Sequence, residues 1–216
     1  YLYSYELKRA MEILTSVRPL KHNDDYYLQV SGMKFVYNPR RMFFDRVTSI
    51  EIGSDEEGYR PLDYSKSNKE LYRVAANLYN ATFLKMVGRF TFSFLEIVPK
   101  DRRGQPIDDL PQALVDADKT KPGVQELKQW LCLIDYVRSF KDLDGNGLPD
   151  MPEKYSGPLG RIVEKPGLCP AGLLSRAEKP TLIALAAICV IVFVLIGCPV
   201  LIVRNAKKKK RNRTKF

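Results

Sequence analysis

The longest uncharged stretch of the sequence restricts the fold more than any other feature. Residues 181–203 read TLIALAAICVIVFVLIGCPVLIV, 23 residues without a charged side chain. A helix of this length rises about 35 Å, since each residue adds about 1.5 Å, and the apolar core of a bilayer is about 30 Å thick. The segment therefore predicts one transmembrane helix, in which Pro199 is tolerated as a kink near the end.

Positive charge is concentrated directly behind this stretch. Residues 204–216 carry eight Lys or Arg side chains and no acid, so that the net charge of +10 leaves about +2 for the rest of the chain. The charge balance therefore gives no reason to expect nucleic acid as a partner. Lys and Arg next to a span mark its cytoplasmic side. We expect a single-pass protein of the cell membrane, with residues before Lys179 periplasmic or at the cell surface and a basic cytoplasmic tail.

The first residue and the cysteines of the soluble part give two further expectations. The chain begins with Tyr1 and shows no export signal, so we expect it to be the C-terminal part of a longer protein. Cys132 and Cys169 could pair in an oxidising compartment, and the cysteine spacing shows no metal-binding pattern. Whether these two cysteines are bonded stays open at this point.

The spacing of apolar residues predicts an α+β fold for residues 1–98, a mixed sheet with packed helices. A helix is predicted over 4–17, with Ser4 as its N-cap. Its apolar stripe consists of Leu7, Ala10, Met11, Leu14 and Val17. Alternation over 26–37 predicts two short strands or one strand bent at Gly32. Further strands are predicted over 46–52 and 71–79, with a polar loop or hairpin between them. Residues 90–98 are ambiguous between a strand and a packed extended segment.

Residues 99–156 are expected to form a helical extension. The run KPGVQELKQWLCLIDYVRSF at 121–140 predicts an amphipathic helix. The side chains expected to face inward are Leu127, Trp130, Leu131, Ile134 and Val137. The Gly and Pro content of residues 157–180 is typical of a linker. The order of parts is thus a domain, an extension, a linker, the apolar helix and the tail.

The segment DLDGNGLPDMPE at 142–153 matches the calcium-loop pattern D-x-[DN]-x-[DN]-G-x5-E in full. Calcium takes six to eight oxygen ligands, and this spacing supplies them from one loop. The expected ligands are Asp142, Asp144, Asn146, the Leu148 carbonyl, Asp150 and Glu153. Pro149 and Pro152 disfavour a long exiting helix, and the loop resembles the single calcium loops of dockerin-like modules. We expect a structural calcium ion, and a polar turn that binds nothing is the alternative.

Two further runs carry a family resemblance. YYLQVSGMKFVYNPRRMFFDRV at 26–47 and LYRVAANLYNAT at 71–82 resemble the C-terminal domain of the 5'-nucleotidase family, over about residues 2–98. The matching positions are Tyr27, Leu28, Gln29, Ser31, Gly32, Phe35, Tyr37, Pro39, Arg46, Val47, Tyr72, Arg73 and Val74. The resemblance implies that Tyr27 and Tyr79 stack on the two faces of a nucleobase. Where the family has Gly-Gly-Asp-Gly, this chain has FLKMV at 83–87, so the pocket is either remodelled for another ligand or structural.

The resemblance also implies where catalysis would occur. Members hydrolyse nucleotides and related phosphoesters with a two-metal cluster in a preceding metallophosphoesterase domain. This chain has one histidine, His22, and no catalytic set can be assembled around it. We therefore expect this chain to be the nucleotide-recognition portion of a 5'-nucleotidase-like hydrolase that acts in nucleotide catabolism. The hydrolase would be membrane-anchored and extracytoplasmic. The expected partners are the upstream domain, a nucleotide or nucleoside, and the lipid bilayer. The alternative is a non-catalytic, calcium-stabilised ectodomain that binds or scaffolds a partner.

Overall fold

A computed structural model describes residues 1–21, 29–90, 95–175, 177, 179–197 and 199. The strands are β1 Leu2–Tyr3, β2 Met33–Tyr37, β3 Val47–Ser54, β4 Gly58–Pro61, β5 Leu71–Tyr72 and β6 Ile162–Glu164. The α-helices are α1 Ser4–Lys21, α2 Leu78–Phe90, α3 Gln129–Arg138, α4 Pro170–Leu174 and α5 Lys179–Val192. Short 3-10 turns occupy Leu110–Ala113 and Glu153–Tyr155, and a π-helical turn occupies Phe193–Gly197. The described residues thus form a mixed α+β structure, as the sequence predicted.

The main sheet has four strands in the order β4, β3, β2, β6. β2 and β3 are antiparallel, with Phe35 opposite Ile50, while β6 joins the free edge of β2 in parallel. β3 and β4 form the hairpin that was one of the two expectations for this polar stretch. The hairpin requires glycine at position 53, because φ there is 152° and a Cβ would lie 2.0 Å from the Gly58 carbonyl oxygen. The predicted strand over 46–52 is confirmed as β3.

Helix α1 packs its apolar stripe against the sheet. Leu7, Ala10, Met11 and Leu14 are buried, as predicted, whereas the side chain of Val17 lies outside the described part. Their partners include Phe35, the most completely buried large side chain, at 1 % exposure. Further core side chains come from the main sheet, from the residue after β4 and from the segment after residue 94, and they include Tyr37, Val47, Ile50, Leu62, Leu95 and Ile97.

The start of α1 is held by a residue other than the predicted cap. The Glu6 carboxylate accepts a hydrogen bond from the Tyr3 backbone N–H at 2.8 Å, as in half of a capping box. The same carboxylate pairs with the Lys100 ammonium group at 2.7 Å. Ser4 is fully buried, and its hydroxyl has no hydrogen-bond partner among the described residues. The prediction of Ser4 as the N-cap was therefore wrong, because Ser4 is already the first residue of α1 and the preceding residue, Tyr3, occupies the N-cap position.

A second buried carboxylate joins α1 to the turn before β3. Glu12 is 2 % exposed and accepts hydrogen bonds from the backbone N–H groups of Arg46 at 2.6 Å and Val47 at 3.0 Å. Lys8 donates to it at 3.0 Å. Burial raises the pKa of the Glu12 carboxyl, and Lys8 and the two backbone donors oppose that shift. The Arg-Val pair of the matched motif thus has a structural role in this chain.

Two of the predicted strands differ from the observed structure. In the range 26–37, strand structure is described only for β2, and residues 22–28 lie outside the described part. In the range 71–79, β5 ends at Tyr72 and α2 begins at Leu78. The side chain of Asn77 caps this helix by accepting from the Asn80 backbone N–H at 2.8 Å. Phe83 and Val87, one helical turn apart, pack against the core and hold this helix in place, and the predicted strand therefore ends at Tyr72.

The ambiguous segment 90–98 is only partly described. Residues 91–94 lie outside the described part, and no strand occurs over 95–98. In that stretch Leu95 and Ile97 are buried in the core, which fits a packed extended segment.

The extension differs from its predicted form in packing. Helix α3 covers only half of the predicted range, and none of its side chains is buried. Trp130 is 59 % exposed, and Leu127, Leu131 and Ile134 are also exposed, while Val137 is half-buried. The prediction of an inward face was wrong, because no other described element covers that side of the helix. Cys132 and Cys169 are unbonded and exposed.

The segment predicted to span a membrane is described up to residue 197, together with residue 199. Its α-helical part, α5, has 14 residues, which rise about 21 Å, and the π-helical turn follows at Phe193. Among the described residues, no helix combines the length and the apolar character needed to cross a membrane. The predicted span over 181–203 is therefore not confirmed.

The segment predicted as a linker contributes to the fold. Within 157–180 lie β6, which hydrogen-bonds to β2, and the short helix α4. Gly and Pro content alone predicted a linker, whereas the pairing of β6 depends on residues 127 positions earlier in the chain.

Candidate functional site

Of the two tyrosines expected to stack on a nucleobase, the structure describes Tyr79 but not Tyr27. Tyr79 is the second residue of α2, and its side chain is 68 % exposed. Tyr27 falls within 22–28, outside the described residues, as does His22. The exposed ring of Tyr79 on helix α2 has a face available for stacking on a base. That Tyr27 and Tyr79 together hold one base stays a prediction.

The residues that replace the glycine-rich motif continue α2. Phe83 and Val87 face the core, and the side chains of Leu84 and Lys85 lie outside the described part. Gly88 is buried against the segment after 94, and a Cβ there would lie 3.1 Å from the Glu96 Cα. This close contact and the two core side chains hold α2 in place. The helix therefore presents Tyr79 from a fixed scaffold rather than from a glycine loop.

The predicted calcium loop brings three of its expected ligands together. The carboxylates of Asp142, Asp144 and Asp150 each have an oxygen within 4.8 Å of the others. Asn146 adjoins this cluster, since its side-chain amide donates to Asp144 Oδ2 at 2.9 Å. Three carboxylates this close together repel one another, and a bound cation would relieve that repulsion.

Backbone N–H groups orient the first ligand. Asp142 accepts from the Gly145 N–H at 2.7 Å and from the Gly147 N–H at 2.9 Å. Gly147 turns the chain at φ 87°, a conformation that glycine adopts without strain, at the position where the pattern requires glycine. The Gly147 N–H lowers the pKa of the Asp142 carboxyl most, and the Gly145 N–H adds to this. Asp142 therefore stays ionised at neutral pH.

Two further contacts close the loop across its width. Asp150 Oδ2 accepts from the Leu143 N–H at 2.6 Å, and the Asp150 N–H donates to the Lys141 carbonyl oxygen at 2.9 Å. Within the loop, the Asn146 side-chain oxygen accepts from the Leu148 N–H at 2.8 Å. These bonds fold the chain so that its carboxylates converge on one side.

The remaining expected ligands are placed differently. Glu153 begins the 3-10 turn after the loop and is exposed, and it is not one of the three clustered carboxylates. The Leu148 side chain points into solvent at 68 % exposure, which does not affect its backbone carbonyl. The structure therefore brings three of the expected ligands together, and Glu153 lies outside their cluster.

Sequence reasoning missed an aromatic cluster at the base of the loop. The rings of Tyr136 and Phe140 meet edge to face at 4.9 Å, and Tyr155 packs on Phe140 at 6.0 Å. The hydroxyl groups of Tyr136 and Tyr155 share a hydrogen bond. The spacing of Tyr136 and Phe140 by four residues was a helical signal, and Tyr155 lies two residues beyond Glu153. The cluster joins the two ends of the loop.

Comparison with known proteins gives one match. Residues 5–87 match the family described as 5'-nucleotidase, C-terminal domain. No curated protein and no solved structure matches the chain. Proteins of this domain family bind nucleotides or nucleosides. The matched range contains Tyr27 and Tyr79 and ends well before the calcium loop, so the resemblance is confirmed for the first part of the chain.

Proposed function

We propose that residues 1–98 recognise the substrate of a 5'-nucleotidase-like phosphoester hydrolase that acts in nucleotide catabolism. The observation that carries this proposal is the family match over 5–87, within which Tyr79 offers an exposed ring on an anchored helix. The hydrolytic site would belong to a metallophosphoesterase domain in a preceding part of the protein. A pair of divalent metals there would clamp the attacking and leaving oxygens of the phosphoester.

In this proposal Tyr79 supplies one face of a clamp for the base and Tyr27 the other. Stacking of an aromatic ring on a base is worth about 1–3 kcal/mol and tolerates any base. Core contacts of Phe83 and Val87 hold the helix that carries Tyr79, so little ordering is needed when the ligand binds.

Calorimetric titration of the full chain with adenosine and AMP tests the clamp. We expect Tyr79→Ala to weaken binding about 5- to 150-fold, as loss of one stacking face implies, and Tyr79→Phe to keep it. Met86→Ala, which truncates another exposed side chain of the same helix, serves as the matched control and should leave binding unchanged. Equal affinities for Tyr79→Ala and the wild-type chain would reject the role of this ring.

A second candidate is a non-catalytic module that binds or scaffolds a partner. It is favoured by one observation, the continuation of α2 through residues that occupy the place of the family's glycines. A helix there cannot offer the close backbone approach that glycine permits. Absence of any heat with adenosine, AMP or another nucleotide at millimolar concentration would favour this candidate over the first.

We also propose that the loop over 142–153 holds a structural calcium ion. Its donor set fits, because three carboxylates converge and every expected ligand atom is an oxygen, which calcium prefers. Asp142, Asp144, Asn146 and Asp150 would bind through side chains, Leu148 through its carbonyl and Glu153 after moving inward. Isolated extracellular calcium modules bind with dissociation constants of about 10⁻⁴ to 10⁻³ M.

Thermal unfolding with calcium and with a chelator tests this site. We expect calcium to raise the unfolding temperature of the wild-type chain and to leave that of Asp142→Ala unchanged, since the pattern requires Asp at this first position. Glu56→Gln removes one exposed carboxylate from the β3–β4 turn and is the control for a simple change of charge. A midpoint that calcium does not shift, together with no binding heat, would remove the calcium ion from the proposal.

Attachment to the cell membrane through residues 181–203 remains part of the proposal. It is supported by the uncharged sequence of this segment and the eight basic residues behind it. Extraction of membranes with alkaline carbonate, followed by protease treatment of intact cells, tests it. We expect the chain to stay in the pellet and to be cut from outside, whereas release into the supernatant would contradict it.

A further inference from the structure

A segment near the end of the described chain lies against the turn that precedes β3. Asn38 and Gly167, which are 129 residues apart in sequence, form a reciprocal pair of hydrogen bonds. The Asn38 amide donates to the Gly167 carbonyl oxygen at 3.1 Å, and the Gly167 N–H donates to the Asn38 side-chain oxygen at 3.3 Å. The Asn38 side-chain amide thus makes the same two hydrogen bonds with Gly167 that a neighbouring strand's backbone would make, and it holds the segment around Gly167 on the turn.

The same segment forms the edge strand of the main sheet. On one side of β6 the Phe35 N–H donates to the Arg161 carbonyl oxygen at 2.8 Å, and on the other the Lys165 N–H donates to the Tyr37 carbonyl oxygen at 2.9 Å. The Tyr37 hydroxyl also donates to Glu164 at 2.7 Å. β6 has only three residues and pairs in parallel, so these bonds alone make a weak attachment.

A buried cluster of charged and polar groups completes the attachment. Arg41 donates to the Gly172 carbonyl oxygen at 2.7 Å and to the Asp45 carboxylate at 3.2 Å. The other carboxylate oxygen of Asp45 accepts from the Thr181 hydroxyl at 2.5 Å. Arg41, Asp45 and Thr181 are each at most 5 % exposed. Buried charges of this kind hold their geometry firmly, because losing a partner leaves a desolvated charge.

We infer that residues 161–172 form a strap and that Arg41, Asp45 and Thr181 form the lock that keeps it docked. Because Thr181 lies in the first turn of α5, the lock fixes the start of the apolar helix to the same turn as the strap. Displacement of α5 would therefore open the lock, release the strap and expose the edge of β2. This inference is independent of nucleotide binding and of calcium.

The chain before the strap allows such a release. Gly157 and Gly160 are exposed, and a Cβ at either would meet no atom within 4 Å. Gly160 has φ 65°, a conformation that favours glycine. This short stretch connects the calcium loop to the strap with few constraints, so the strap can leave the sheet while the calcium loop keeps its structure.

Hydrogen exchange of the full chain, measured by mass spectrometry, tests the lock. Thr181→Val keeps the shape of the side chain and removes the bond to Asp45, and we expect amides in 162–165 to exchange about 10- to 100-fold faster, since a bond to a charged group is lost. Amides of β3 should keep their wild-type rates. Thr120→Val, which removes an exposed bond to Asp118, is the control and should change neither region.

Two results would overturn the inference. Unchanged exchange over 162–165 in Thr181→Val would show that the strap does not depend on the lock. Equal acceleration of 162–165 and of β3 would show that strap and sheet open as one unit. Asn38→Ala provides a second variant that removes both bonds to Gly167, and it should accelerate 162–165 selectively as well.

Discussion

Removal of the Glu12 carboxylate is the perturbation for which the structure gives the clearest expectation. Glu12 joins α1 to the chain entering β3, where it accepts from the backbone N–H groups of Arg46 and Val47. Glu12→Ala removes both acceptors without inserting a larger group. Because the site is 2 % exposed, water does not reach the two donors without local opening.

The magnitude follows from the two donors. A buried backbone N–H left without an acceptor costs about 1–3 kcal/mol, so two such groups cost about 2–6 kcal/mol. Small domains have a free energy of unfolding of about 5–15 kcal/mol, so the loss is a large fraction of the total. Lys8 loses its carboxylate partner in the same variant, which acts in the same direction.

Urea unfolding at pH 7, followed by near-ultraviolet circular dichroism, measures this effect. The tyrosines and phenylalanines of the core give the signal, whereas the single tryptophan, Trp130, lies on the exposed helix α3. Glu51→Ala, which removes an exposed carboxylate from β3, is the matched control and should stay within about 0.5 kcal/mol of the wild-type chain. If Glu12→Ala were as stable as Glu51→Ala, the assigned role of the buried carboxylate would be wrong.

Two further predictions concern the hairpin and the calcium loop. Gly53→Ala should lower the free energy of unfolding by more than about 2 kcal/mol, because the added Cβ would collide with Gly58. Gly157→Ala is the control, since its Cβ would meet open space, and the same urea experiment should show almost no change in its free energy of unfolding. In the calcium-free chain the pKa of the Asp142 carboxyl should lie below the ordinary value for aspartate, because the Gly147 and Gly145 N–H groups stabilise its ionised form, which is lost only as pH falls through that lowered value. An NMR titration of the carboxyl carbons measures this, and a pKa at or above the ordinary value would contradict the assigned hydrogen bonds.

Local patterns predicted much of the fold. The apolar stripe of α1 reflects burial of one face of the helix, which the segment encodes on its own, and β3 was likewise predicted from its own residues. The calcium-loop pattern predicted three converging carboxylates for the same reason, since all its ligands lie within 12 residues. Such features depend on neighbours in sequence and can be read directly.

The features that sequence reasoning missed depend on distant partners. β6 becomes a strand only because β2 offers a free edge, and Asn38 and Gly167 find each other across 129 residues. The strand predicted over 71–79 ran past Tyr72 into the first two residues of α2, although Asn77 was a readable cap. In α3 the apolar stripe predicted burial, but no described element lies over it.

The central claim, recognition of a nucleobase by Tyr79, is tested most directly by saturation-transfer difference NMR. Protein resonances of the full chain are saturated in the presence of AMP, and the transfer to each ligand proton is measured. We predict the strongest transfer to the base protons H8 and H2, weaker transfer to the ribose, and loss of this pattern in Tyr79→Ala but not in Tyr79→Phe. No transfer to AMP, or the same pattern in Tyr79→Ala, would contradict the account.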